Sequence, residues 1–126
     1  MAVLGSLRAK LSRAVAAPHE LDSEALKSRV ESIGAVPIAQ ATPGSAYVLS
    51  GVLTSITVHP PGSTHGLEAE LFDGTGRIRV VWMGRGRIGG ISPGRSLTVE
   101  GRLVAGRLLP TMFNPRYSLW PRGENA

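Results

Sequence analysis

A mainly β fold, built as a small barrel behind a short helical arm, is what this sequence predicts. Three observations predict it. Sixteen glycines and nine prolines in 126 residues supply more turns than a helical bundle accommodates. From residue 46 onward the chain reads as short runs that alternate apolar and polar at period two, punctuated by Gly, Pro and Asp. Helical spacing of apolar residues is confined to residues 1–34. A chain of this length forms one domain with a modest core and a small appendage.

The arm, residues 1–34, comes first. Leu4, Leu7, Leu11 and Val15 recur on one face of a helix, while Arg8, Lys10 and Arg13 interrupt the apolar run that a secretory signal needs. Pro18 separates this helix from residues 21–33, LDSEALKSRVESI. There Asp22 caps a second helix, Ala25, Leu26, Val30 and Ile33 form its apolar stripe, and Gly34 stops it. Residues 35–45 are a Pro- and Gly-punctuated connector.

The strands follow over residues 46–119. AYVLSGVLTSITV, residues 46–58, is long for one strand, and Gly51 inside it marks a bulge or sharp coil that lets one strand serve two halves of a sheet. HPPGSTHG, residues 59–66, is a loop. LEAELF (67–72) and RIRVVW (77–82) alternate as half-buried strands around DGTG, a turn in which glycine accepts positive φ and Asp73 bonds its own following backbone. MGRGRIGGISPG, residues 83–94, is a Gly-rich connection with room for one helical turn. RSLTVEGRLV (95–104) and GRLLPTMFN (106–114) form a second hairpin, and residues 120–126 are expected to be a disordered tail.

Register across the DGTG turn sorts the two faces. With Phe72 opposite Arg77, Leu71 meets Ile78, Glu70 meets Arg79 and Ala69 meets Val80. Leu67, Ala69, Leu71, Ile78, Val80 and Trp82 then face the core, and Glu68, Glu70, Phe72, Arg77, Arg79 and Val81 face out. Glu70 and Arg79 are expected to form a cross-strand ion pair. DGTG is not a phosphate cradle, because that needs a strand before it, a helix after it and Gly-Lys-Ser/Thr at its end.

Charge is unevenly placed. Residues 35–76 hold three acids and no base, whereas residues 77–122 hold nine arginines and one acid, Glu100. Arginine offers a planar fork to phosphate and a face to a base; the other reading of the same bias is a genome whose codons favour Arg, with the charges solubilising the surface.

Five strands in the order coiled long strand, hairpin, connection, hairpin match the Greek-key barrel of the OB-fold. LEAELFDGTGRIRVVWMGRGRIGGISPGRSLTVEGRL, followed by PTMFNPRYSL, resembles the small actinobacterial OB-fold proteins named for a nucleic-acid-binding domain. A more distant resemblance is to anticodon-binding OB domains and the wedge domain of a bacterial branch-migration helicase. It covers residues 46–119 and implies a ligand on the face of the second and third barrel strands, between the first-second and fourth-fifth loops. The positions concerned are Phe72, Arg77 and Arg79 on the face, residues 59–66 in one loop, and Arg102 with residues 105–107, Arg107 among them, at the other. Arg85 and Arg87 in GRGR, and Arg116 in NPRY, join them as candidate phosphate contacts, solvated charge being the other reading of the GRGR pair. With one outward aromatic on the face, weak, salt-sensitive and sequence-tolerant binding of single-stranded DNA or RNA is expected.

The remaining candidates read as structure. In NPRY, Pro115 ends the last strand and Tyr117 packs back on the barrel. Trp82 and Phe113 are assigned to the core. His19, His59 and His65 lack the spacing and companions of a metal site, and no cofactor is expected. Without cysteine there is neither disulfide nor thiolate zinc, and a reducing, cytoplasmic setting is expected. No run reaches the roughly 18 apolar residues of a membrane span. Glu68 and Glu70 beside arginines suit ion pairs better than an acid–base dyad, and no nucleophile elbow exists, so a non-enzyme is expected. The alternative function is a protein-interaction module whose N-terminal helices dock a partner or a second copy.

Overall fold

The computed structural model describes residues 12–15, 23–32 and 35–121. Among the described residues there are seven strands: β1 (Ser12–Val15), β2 (Ala46–Val58), β3 (Leu67–Phe72), β4 (Arg77–Trp82), β5 (Ser96–Val104), β6 (Thr111–Phe113) and β7 (Arg116–Leu119). Helix α1 (Ser23–Ser32) and a 3-10 turn, Ile38–Gln40, precede β2.

The thirteen-residue β2 is the shared strand. Its residues 46–52 pair antiparallel with β5 and its residues 52–58 with β3. Gly51 sits at the crossing, where a Cβ would collide with the Phe72 carbonyl, and the irregular register itself falls just beyond, between Leu53 and Ser55. Two halves of one strand thereby enter two neighbourhoods. β3 pairs with β4, β4 runs parallel to β6, and β6 returns antiparallel to β5, which closes a five-stranded barrel. Inside it Leu49, Leu53, Leu71, Ile78, Leu97 and Met112 are fully buried. The predicted register of the first hairpin, Leu71 to Ile78 and Glu70 to Arg79, is the observed one, and all six residues expected to face inward are buried. Closure leaves few free edges and hides a continuous apolar interior, which is how a core this small holds a fold together.

Several local expectations are corrected. Four residues of the first expected helix, Ser12–Val15, are a strand that pairs antiparallel with residues 55–58 of β2. The physical reason is that β5 and the turn before it cover this edge of β2 only as far as Leu53, so the backbone groups beyond are open to another strand. Residues 1–11 lie outside the described ones. The expected strand over residues 106–114 shrinks to Thr111–Phe113, because Gly106 packs against the Leu109 carbonyl in a turned loop. The Gly-rich connection holds turns and no helix, and sends Ile88 and Ile91 into the core.

The end of the chain also differs. Asn114 adopts the left-handed region, with φ of 48°, and reverses the chain so that β7 adds to β5. Trp120, placed in the tail by sequence, is buried, donating its indole N–H to Thr98 Oγ1 at 3.1 Å and its amide to Ser96 at 3.0 Å. With Leu26 of α1 and Val52 it forms a second, smaller apolar cluster outside the barrel. Of the tail expected over residues 120–126, residues 122–126 lie outside the described ones.

DGTG acquires a role beyond turning. Asp73 is fully buried, and its Oδ1 accepts from the Thr75 amide, the Thr75 hydroxyl and the Gly76 amide. Its Oδ2 accepts from the amide of Ile38 at 2.8 Å. Gly74, at φ of 90°, lies against Ser23 at the start of α1. The turn thus fastens the connector and the helix to the barrel.

Candidate nucleic-acid interface

The outer face of β3 and β4 carries Glu68, Glu70, Phe72, Arg77 and Arg79, as alternation requires. Charges on it pair along one diagonal. Arg79 Nε lies 2.8 Å from Glu68 Oε2, and Arg77 lies 3.8 Å from Glu70, so the expected ion pair between directly opposed Glu70 and Arg79 is replaced by two pairs offset by one step of the face. Strand twist brings one diagonal closer than the other, and long side chains follow it. Two guanidiniums meet two carboxylates, so this face presents little net attraction to a phosphate chain. A groove of about 250 Å³ runs over it, lined by Ser55, Thr57, Glu68, Glu70, Arg79 and Leu108.

Phe72 is not an open stacking platform. The Arg77 guanidinium lies over its ring, 4.6 Å from the centroid, and the ring packs against the Leu26, Val52 and Trp120 cluster. Arg77 also reaches Thr54 Oγ1 at 3.5 Å. The aromatic that the sequence offers to a base is largely spent on holding α1 to the barrel.

The other predicted cations divide by loop. Arg102 near the end of β5 and Arg107 in the β5–β6 loop are exposed, and neither has a carboxylate partner among the described residues. That loop leans on the central face, since Arg79 donates its amide to the Pro110 carbonyl and Leu108 borders the groove. Arg85 and Arg87 are exposed on the β4–β5 connection, with Arg85 lining a cleft of about 700 Å³ against the β2–β3 loop. Gly62, Gly66, Gly84 and Gly86 line the same cleft with backbone. Arg116 stands apart on β7, 84% exposed and 3.4 Å from Glu100. The structure brings Phe72, Arg77 and Arg79 together, sets Arg85, Arg87, Arg102 and Arg107 on flanking segments, and leaves Arg116 outside.

Sequence reasoning missed a group at the upper end of β3. Glu68 Oε1 lies 3.0 Å from His59 Nε2 and 3.7 Å from His65 Nδ1, while its other oxygen holds Arg79. The His59 and His65 rings meet edge to face at 6.1 Å, and His65 lies 5.8 Å from Phe113. Phe113, expected in the core, is 39% exposed. Val81, with outward parity, is instead fully buried, because register flanks it with Glu68 and Phe113, which His65 bridges. The signal was present as two histidines in one loop, six residues apart, with a carboxylate soon after. Among the described residues no group of three His, Cys, Asp or Glu is arranged to hold a metal ion.

No protein-family model matches the chain, and no curated protein matches it either.

Proposed function

We propose that this chain is an OB-fold barrel, akin to the small actinobacterial proteins it resembles, that binds single-stranded DNA or RNA weakly and with little sequence preference. The order of strands supports the OB reading: a long coiled first strand serves both halves of the barrel, and a parallel pair, β4 with β6, closes it. Such barrels take oligonucleotides on the face formed here by β3 and β4 and between the loops beside it.

The observation that carries the ligand class is where arginine without a carboxylate partner among the described residues lies. Arg85, Arg102 and Arg107 occupy loops and a strand end that flank a face whose own charges are paired. A flexible polyanion follows such a rim, and a glycine-lined cleft lets its backbone approach closely. Binding without chemistry fits the same surface, and the reading is of a cytoplasmic binding protein, not an enzyme. No described helix is long and apolar enough to cross a membrane.

Fluorescence anisotropy with labelled single strands, at low and physiological salt and beside duplex controls, tests this. A single-strand preference and a log–log salt slope of about −2, from three contacts at about −0.7 each, is the expected result. Absence of binding at low salt would transfer the reading to protein interaction. One observation favours that second reading: Val48 on β2 and Tyr117 on β7, either side of β5, are exposed and line one shallow groove with Glu100 and Arg116. Partner capture that depends on residues 1–34 would support it.

A further inference from the structure

The β2–β3 loop, the β4–β5 connection and the end of β6 meet at one corner. Gly66 packs so tightly on the backbone of Arg85 that a Cβ would strike its carbonyl and amide. Asn114 Oδ1 accepts the amide of Met83 at 2.8 Å, tying the end of β6 to the same connection. These two fastenings bring His65, Arg85 and Phe113 onto neighbouring backbone. The aromatic pair is supported from beneath, since Phe113 flanks buried Val81, and His65 reaches Glu68 as well as the Phe113 ring.

The chemistry of this corner is complementary to a nucleotide unit. Phe113 is part exposed, and unlike Phe72 it has no guanidinium over its ring among the described residues and belongs to neither apolar cluster. Arg85 has no carboxylate partner among the described residues, and around Gly84 and Gly86 there is open space for a phosphate. Building on the nucleic-acid reading, we propose that Phe113, with His65 beside it, stacks one unpaired base of a single strand while Arg85 takes the adjoining phosphate. Every base has a π-face, so the site is sequence-tolerant, and a base already stacked in a duplex is denied to it. Single-strand preference then arises at Phe113, away from the ion-paired face of β3 and β4.

The test uses the full chain with fluorescein-labelled oligothymidine and an abasic strand of the same length. Phe113→Ala is expected to weaken oligothymidine binding at least about fivefold, the lower end for one base–aromatic stack. Phe113→Trp should restore it, and the abasic strand should bind the wild type and Phe113→Ala alike. Arg85→Ala should weaken both strands by a similar factor. Equal oligothymidine binding by the wild type and Phe113→Ala overturns the stacking site and leaves the nucleic-acid reading standing. Equal losses on both strands in Phe113→Ala also overturn it, because the effect would not pass through a base. A wild type that binds neither strand at low salt overturns both.

Discussion

Asp73 accepts four hydrogen bonds from two segments while buried from solvent, and each acceptance replaces a bond that its donors would otherwise make to water. Asparagine at this position puts an amide against either the Ile38 N–H or the Thr75 and Gly76 donors, so at least one donor–donor contact results. Asp73→Asn is expected to cost about 2–3 kcal/mol, lowering the melting temperature by about 10 °C or more; a melt within a few degrees of the wild type would contradict this role. Tyr47 gives a residue-scale prediction in pH. The Thr42 side chain and then its backbone amide bond the Tyr47 hydroxyl, which lowers its pKa from the ordinary 10.0. A lowered acid adds stability only as pH rises past its folded pKa, in full above 10.0, and that contribution is lost as pH falls back through the folded value. Ultraviolet titration of a Tyr117→Phe variant, which retains Tyr47 alone, should show a midpoint below 10.0, and a midpoint at or above it would refute the assignment.

At the scale of elements, β2 and the β3–β4 face make distinct demands. Gly51 permits β2 to pass close to the Phe72 carbonyl while it changes partners, and any side chain there must push β2 away from β3. Gly51→Val is expected to destabilise by about 3 kcal/mol or more through overpacking against backbone, read as a shift in the urea midpoint; an unchanged midpoint would show that the strand coils elsewhere. The charge pattern of the face predicts a gain of function. Glu70→Gln releases Arg77 from its carboxylate, and if a strand crosses this face, affinity should rise and the salt slope should steepen by about 0.7. Unchanged affinity would confine the ligand to the loops and the Phe113 corner.

The described residues form a closed barrel to which α1 attaches through Leu26 in the outer cluster and Ser23 against Gly74. Barrel closure uses β2 to β6, whereas α1 contributes Leu26 to the outer cluster with Val52 and Trp120. A fragment of residues 35–126 should therefore stay folded by circular dichroism. It should lose about 2 kcal/mol for the exposed Leu26 contact, and more for the edge left by β1. A fragment that is unfolded at room temperature would make the arm part of the fold's core, not an attachment.

Much of this was legible in the alternation of residues 67–82. Period two fixes which face each side chain takes, and one turn of defined length fixes the register, so the inward six and the opposed Glu70 and Arg79 were determined by the sequence alone. The arginine excess after residue 76 was equally plain. What alternation does not contain is the third dimension. The choice of diagonal by Glu68 and Glu70 depends on twist, and the strand at Ser12–Val15 depends on an edge that opens only where β5 departs from β2. Phe113, His65 and Arg85 are far apart in the chain and come together through two backbone fastenings, at Gly66 and Asn114, that no local pattern encodes. Sequence determined the strands over residues 67–72 and 77–82 and their inward faces because those follow from local periodicity. Tertiary structure alone decided which charges cancel and which aromatic is left exposed, because both depend on contacts between segments distant in the chain.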